Sequence, residues 1–185
     1  MRERREAATC SSVAATEAGS TTDTGRLSSR GVIVDGQEDL PLPAAPDLGD
    51  MELYPNVYEL GPSALRRVQD FTIRKRDIGE VTFPGTLDLL LYRNALETLP
   101  QIVRLEPGEV LIYPDVSMKP GEGEGLNRTA IITLYNCQPP ANSRRDDASK
   151  ARYRDRIAHM TEVKGAKFID YDCDAGIWRF QVNHF

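Results

Sequence analysis

Residues 166–185 read AKFIDYD-CDAG-IWRFQVNHF, and this stretch decides the fold. Two β-rich runs flank a four-residue turn, Cys173-Asp174-Ala175-Gly176, so the chain must double back as an antiparallel hairpin. The second run alternates. Trp178, Phe180, Val182 and His184 fall on one face, and Arg179, Gln181, Asn183 and Phe185 on the other. The pattern runs to the last residue, whereas termini ordinarily fray into a few polar residues. His184 is therefore expected to point toward the core or a pocket.

Working back toward the N-terminus, the pattern repeats. The residues from Ser149 to Lys164 form an amphipathic helix with Tyr153, Ile157, Met160 and Lys164 on one stripe, and Gly165 stands where a helix stops. His159 lies off that stripe and reads as a surface or rim histidine. PPANSRRDD (139–147) is a polar loop, and TAIITLYN (129–136) is a strand. IVRL (102–105) and VLIYP (110–114) bracket Glu106-Pro107-Gly108-Glu109, in which Pro-Gly suits the centre of a type II turn. LDLLLYRNALETL (87–99) reads either as a helix or as a loop with one strand. FTIRKR (71–76) and GEVTFPG (79–85) are two more strands, and Pro62 opens a short helix. Consecutive antiparallel hairpins with a few helices define an α+β fold: a mostly antiparallel six-stranded β-sheet or half-open barrel flanked by two or three helices.

All 13 aromatic residues follow position 50. Residues 1–50 are rich in Ala, Ser, Thr, Gly, Asp and Pro and cannot bury enough apolar surface to offset their ordering entropy. They are expected to be a disordered or low-complexity arm, in which GVIVDG (31–36) is a weak candidate edge strand, and 51–185 the folded domain. The arm carries 5 Lys/Arg against 9 Asp/Glu; the remainder carries 18 against 19. No basic footprint for nucleic acid results, so no direct nucleic-acid partner is expected. The apolar run at 87–92 is too short to span a bilayer, so membrane insertion is not expected either. Three cysteines without CxxC spacing, and no secretory leader, point to a reducing compartment. Two histidines leave little basis for a metal cluster, and no cofactor is expected.

GEGEGLNR (121–128) superficially suggests a phosphate loop. It lacks the Gly-Lys-Ser/Thr ending and leads into a β-branched strand instead of a helix. It reads either as a flexible connection or as a docking loop, with Lys119 and Arg128 as its presented charges and Gly123 and Gly125 within it. A hydrolase or nucleotide binder built on GEGEG and His159 would need a nucleophile–base pair, which the sequence does not offer.

DFTIRK (70–75), KPGEGEGLNRTA (119–130) and GAKFIDYD…GIWRFQVNHF (165–185), in that order, resemble the autoproteolytic domain of the nucleoporins that carry Gly-Leu-Phe-Gly repeats. The resemblance covers about residues 51–185. It implies a nuclear pore complex component that cuts itself after a His-Phe pair followed by serine. It also implies docking onto β-propeller scaffold nucleoporins and onto the released C-terminal segment, in support of nucleocytoplasmic transport of protein and mRNA. On that resemblance the chain is the N-terminal product ending at His184-Phe185. His184 is the base and then the acid, Phe185 carries the scissile carbonyl, and Asn127 is the candidate oxyanion or positioning group. Lys119, Gly123, Gly125 and Arg128 are the candidate partner-binding positions. Two features depart from the family: no residue follows Phe185 to serve as nucleophile, and residues 1–50 contain no Phe-Gly repeat. The alternative is an interaction domain that never cleaves.

Overall fold

A computed structural model of the chain describes residues 45–185. The expected arm and the candidate strand at 31–36 lie outside the described residues, apart from 45–50. The domain is α+β. Its main sheet has six antiparallel strands in the order β1-β2-β3-β6-β8-β7. These are β1 (Met51–Tyr54), β2 (Val68–Lys75), β3 (Gly79–Leu87), β6 (Ala130–Leu134), β7 (Lys167–Asp172) and β8 (Ile177–Val182). The sheet is open, with β1 and β7 as its edges, so the half-open barrel is not formed.

Two expectations need correction. The hairpin at 102–114 is present as β4 (Val103–Glu106) and β5 (Glu109–Ile112), but it forms a separate two-stranded sheet. The sixth strand of the main sheet is β1, a four-residue segment too short to announce itself by alternation. The turn chemistry between β4 and β5 is as expected: Gly108 has φ +76°, the position that a β-carbon disfavours.

Period-2 patterning accounts for the sheet. One row in register across all six strands is apolar: Leu53, Ile73, Val81, Ile132, Phe180 and Phe168. The adjacent row, on the opposite face, is polar: Glu52, Arg74, Glu80, Thr133, Arg179 and Asp170. Opposite charges mostly alternate along it, which cross-strand pairing favours. β3 carries Pro84 without costing β6 a ladder bond, because β6 pairs only with Gly79–Thr82. β3 bulges at Pro84-Gly85, two residues facing the single Asp70 of β2, whose φ is +45° and whose Oδ1 accepts from the Gly85 N–H at 2.8 Å.

The helices cover the apolar face. They are α1 (Pro62–Leu65), α2 (Arg93–Glu97), α3 (Leu99–Ile102) and α4 (Asp147–Val163). The ambiguous 87–99 segment resolves into the end of β3, a turn and the short α2. Two tertiary hydrogen bonds fix it in place: the Leu89 N–H donates to Leu65 O at 2.9 Å, and Tyr58 Oη donates to Leu96 O at 2.7 Å. α4 begins two residues earlier than expected, because Asp146 caps it by accepting from the Ser149 N–H at 2.7 Å. Ile157 and Thr161 are buried, while Tyr153 packs on Tyr171 at 5.7 Å between ring centroids. Arg154 pairs with Asp170 at 2.8 Å and lies over the Phe168 ring.

Candidate functional site

The final strand does not continue to the terminus. β8 ends at Val182, which pairs with Ala130, the first residue of β6. Residues 183–185 therefore have no strand beside them. His184 is corrected accordingly: its side chain is 50% exposed and does not join Trp178, Phe180 and Val182 in the core. Alternation carries a side chain inward only while the pleat is held by a partner strand. His159 is exposed, as expected.

The loop that leads into β6 lies at this point. Asp115 caps a 3-10 turn at Val116–Met118, its carboxylate accepting from the Ser117 N–H and Oγ–H at 2.9 and 2.7 Å. Those two bonds hold the Asp115 carboxyl below its ordinary range. The chain then folds on itself through three bonds. Glu124 N–H donates to Gly121 O at 3.1 Å, Asn127 N–H to Glu124 O at 2.9 Å, and Gly123 N–H to Asn127 O at 2.8 Å. Such closure needs left-handed backbone at Gly123 (φ +84°) and Gly125 (φ +52°). Gly125 is needed for space as well, since a β-carbon there would stand 2.9 Å from Tyr113 Oη. That hydroxyl accepts from the Leu126 N–H at 3.2 Å, and burial pushes the phenol's pKa up. The expected flexible or presented loop is thus a folded, braced one.

Asn127 is the centre of the arrangement. It is 1% exposed. Its Nδ2 donates to Pro120 O at 2.8 Å, and its Oδ1 accepts from the Phe185 N–H at 2.9 Å. The partners assign the amide: an N–H requires the oxygen and a carbonyl requires the nitrogen, so the group cannot be flipped. Asn127 and Phe185, 58 residues apart, are joined directly. The Phe185 ring lies 6.3 Å from that of Phe83 and packs against the core. Thr129 Oγ1 donates to Asn183 O at 3.4 Å. The His184–Phe185 peptide is therefore held at its N–H and anchored by the following ring. His184 Nε2 lies 3.5 Å from Glu122 Oε1, on the same loop.

The remaining candidates divide. Arg128 turns back on the loop, Nη2 donating to Gly123 O at 2.6 Å, so it braces the turn instead of standing out as a presented charge. Lys119 is half-buried, and among the described residues no carboxylate pairs with it. Gly123 has open space around its α-carbon; Gly125 is enclosed. Sequence reasoning missed Glu122, Tyr113 and Phe83. Nothing in their local pattern marks them, because each acts across a tertiary contact. Exposed Val116 and Met118 precede Lys119 directly, and Leu91 adjoins Tyr92, whose ring edge lies against Gly125. A cavity of about 270 Å³ beside α4, lined in part by Ser143, Arg152 and Arg156, contains none of these groups.

At the end of its last strand the α+β domain thus holds its own His184–Phe185 peptide through Asn127. Residues 52–185 match the family model described as Nucleoporin2, Nup98-96 autopeptidase S59. The chain belongs to this family of nuclear pore complex proteins. It is 34% identical over 152 residues, 77% of its length, to the nuclear pore complex protein Nup98-Nup96 of Dictyostelium discoideum. It is 35% identical over 154 residues, 80% of its length, to NUP96 of Arabidopsis thaliana. It spans 7% of the first relative and 14% of the second. Among solved structures it is similar to a mutant of the Nup145N APD of Chaetomium thermophilum fused to Nup145C N. The TM-score is 0.62 at 28% identity, covering 73% of this chain and 94% of that one. It is also similar to a chain of the yeast heterotrimeric Nup82-Nup159-Nup116 complex, with TM-score 0.56 at 27% identity, covering 74% and 97%. Such resemblance places the protein at the nuclear pore complex.

Proposed function

We propose that residues 51–185 are a self-cleaving nucleoporin domain that cuts the peptide bond following Phe185 and docks its nucleoporin onto other nucleoporins. The observation that supports this most strongly is the buried Asn127 amide holding the Phe185 N–H. It orients the residue whose carbonyl would be attacked. With a serine next in the chain, its hydroxyl adds to the Phe185 carbonyl through a five-membered ring while His184 takes the hydroxyl proton. His184 returns that proton to the departing amide nitrogen as the C–N bond breaks, leaving an ester. Water then cleaves the ester to the Phe185 carboxylate and a free hydroxyl. Asn127 acts here as a positioning group, because its oxygen is occupied by Phe185 and one amide hydrogen by Pro120. No pocket is needed when both reactants share one chain: oriented intramolecular pairs reach effective molarities of roughly 10⁵–10⁸ M.

For docking, the support is the exposed apolar set beside the loop, Leu91 at 69%, Val116 at 73% and Met118 at 40%. Lys119, Gly123, Gly125 and Arg128 shape or border that surface. A β-propeller scaffold nucleoporin, and the segment released by the cut, are the partners the family implies, with protein and mRNA transport as the wider role.

The test extends the chain beyond Phe185 with serine and a short tail and measures intact mass. A mass ending at Phe185 is expected, with His184→Ala uncut and Asn127→Ala slowed at least about tenfold, the effect of leaving two part-buried partners unpaired. An uncut parent would leave a docking domain without catalysis. Unimpaired cutting by His184→Ala would remove that residue from the mechanism.

A further inference from the structure

The loop that grips Phe185 also reaches His184. Asn127 closes on the Phe185 N–H from one end of the Gly121–Asn127 turn, and Glu122 Oε1 stands 3.5 Å from His184 Nε2 at the other. Both ends are held by the same closures, Gly123 N–H to Asn127 O and Arg128 Nη2 to Gly123 O. One braced element thus addresses two successive residues.

From this juxtaposition we propose that Glu122 is a positioning residue for His184, accepting the Nε2–H and so fixing which ring nitrogen is free to act as base. An imidazole carries its proton on one nitrogen and its lone pair on the other, and the partner of the first decides the second. With Nε2–H directed at the carboxylate, Nδ1 keeps the lone pair and is the atom that receives the serine proton. The proton passes from the hydroxyl to Nδ1 and from there to the leaving nitrogen; Nε2–H stays with Glu122 throughout. A carboxylate is suited to this role because the imidazole becomes cationic between the two transfers. His184 is otherwise poorly restrained, being half exposed and beyond the last ladder bond of β8. Glu124, the other acid of the loop, does not substitute: its side chain lies by Gly121, with Oε2 near 3.4 Å from where a β-carbon would be.

The proposal rests on the cleavage reading above, and its test separates the two. Chains extended by serine and a tail are compared as parent, Glu122→Ala and Glu122→Gln, following the rate of appearance of the cut mass. Glu122→Ala is expected to cleave about fivefold more slowly, the upper end for a contact this exposed. Glu122→Gln is expected to recover to within about twofold of the parent, because its amide oxygen still accepts from Nε2–H. Melting temperatures should coincide for all three, since Glu122 is 73% exposed at its side chain. A cut parent with Glu122→Ala at the parent's rate overturns the positioning role and leaves self-cleavage standing. Recovery absent in Glu122→Gln overturns the accepting contact. An uncut parent overturns both.

Discussion

Single residues set the geometry of the terminal grip. Asn127 is buried in a loop that is otherwise at the surface, and it is tolerable there because both sides of its amide are paired. Gly125 shows the same economy of space. Its φ of +52° disfavours any side chain, and the point where a β-carbon would go is closed off by a Tyr113 hydroxyl already engaged by Leu126. Neither cost can be relieved by a rotamer change, since Tyr113 is itself buried. Gly125→Ala is expected to destabilise the domain by about 2 kcal/mol, combining left-handed strain with the close contact. Chemical denaturation of the two proteins measures it, and a change below 0.5 kcal/mol, roughly the surface norm, would show that the loop yields freely. Asn136 and Asp77, also at positive φ, share a simpler arrangement in which Asn136 Nδ2 donates to Asp77 O at 2.7 Å.

At the scale of elements, the 3-10 turn Val116–Met118 deserves separation from the loop it precedes. Its Asp115 cap is satisfied by Ser117, so the turn forms without needing its own apolar side chains. Val116 and Met118 are left in solvent, close to Lys119. Side chains that are neither required by the turn nor buried by the core are available to a partner. Val116→Asp combined with Met118→Asp is expected to weaken binding to a β-propeller nucleoporin at least about tenfold, as truncating an apolar anchor does. Melting temperature should stay unchanged, and pull-down and thermal scans on the same samples read both. Retained binding would move the docking surface elsewhere on the domain. β7, an edge strand, is guarded differently. Its bulge between Phe168 and Asp170, together with the Arg154–Asp170 pair, interrupts the run of free backbone groups.

For the whole molecule, the pH response follows from its tyrosines. Burial pushes Tyr58 up to about 12, and it raises Tyr113 and Tyr135 as well. A phenol whose folded pKa lies above the unfolded value of about 10 contributes stability that is intact below pH 10. The contribution is lost as pH rises toward 12, because the unfolded chain releases the proton first. Stability is therefore expected to fall between pH 10 and pH 12, and Tyr58→Phe to flatten part of that fall. Urea unfolding at intervals across that range reads it, and a wild-type curve that stays level would exclude burial of these phenols. The acid limb has the opposite sign. Asp170, held low by the Arg154 guanidinium, loses its contribution as pH drops through and below the ordinary carboxylate range.

Much was legible in the residues alone. Period-2 patterning located the strands from 71 onward, Pro107-Gly108 its turn, and Gly165 the end of α4, because these are set by local sterics and by one face seeking burial. The α+β class and the family follow from that order of elements and from the motifs at 119–130 and 165–185. What the sequence could not determine is where a local rule stops applying. His184 continues an alternation that predicts burial, yet it is exposed, since β6 begins at Ala130 and offers nothing to pair with residues 183–185. The hairpin β4–β5 has the same local signature as the main strands but pairs only with itself. The meeting of Asn127 with Phe185, and of Glu122 with His184, spans about 60 residues of chain. Only tertiary packing decides such contacts, because they depend on where six strands place a loop and a terminus, and no local periodicity records that distance.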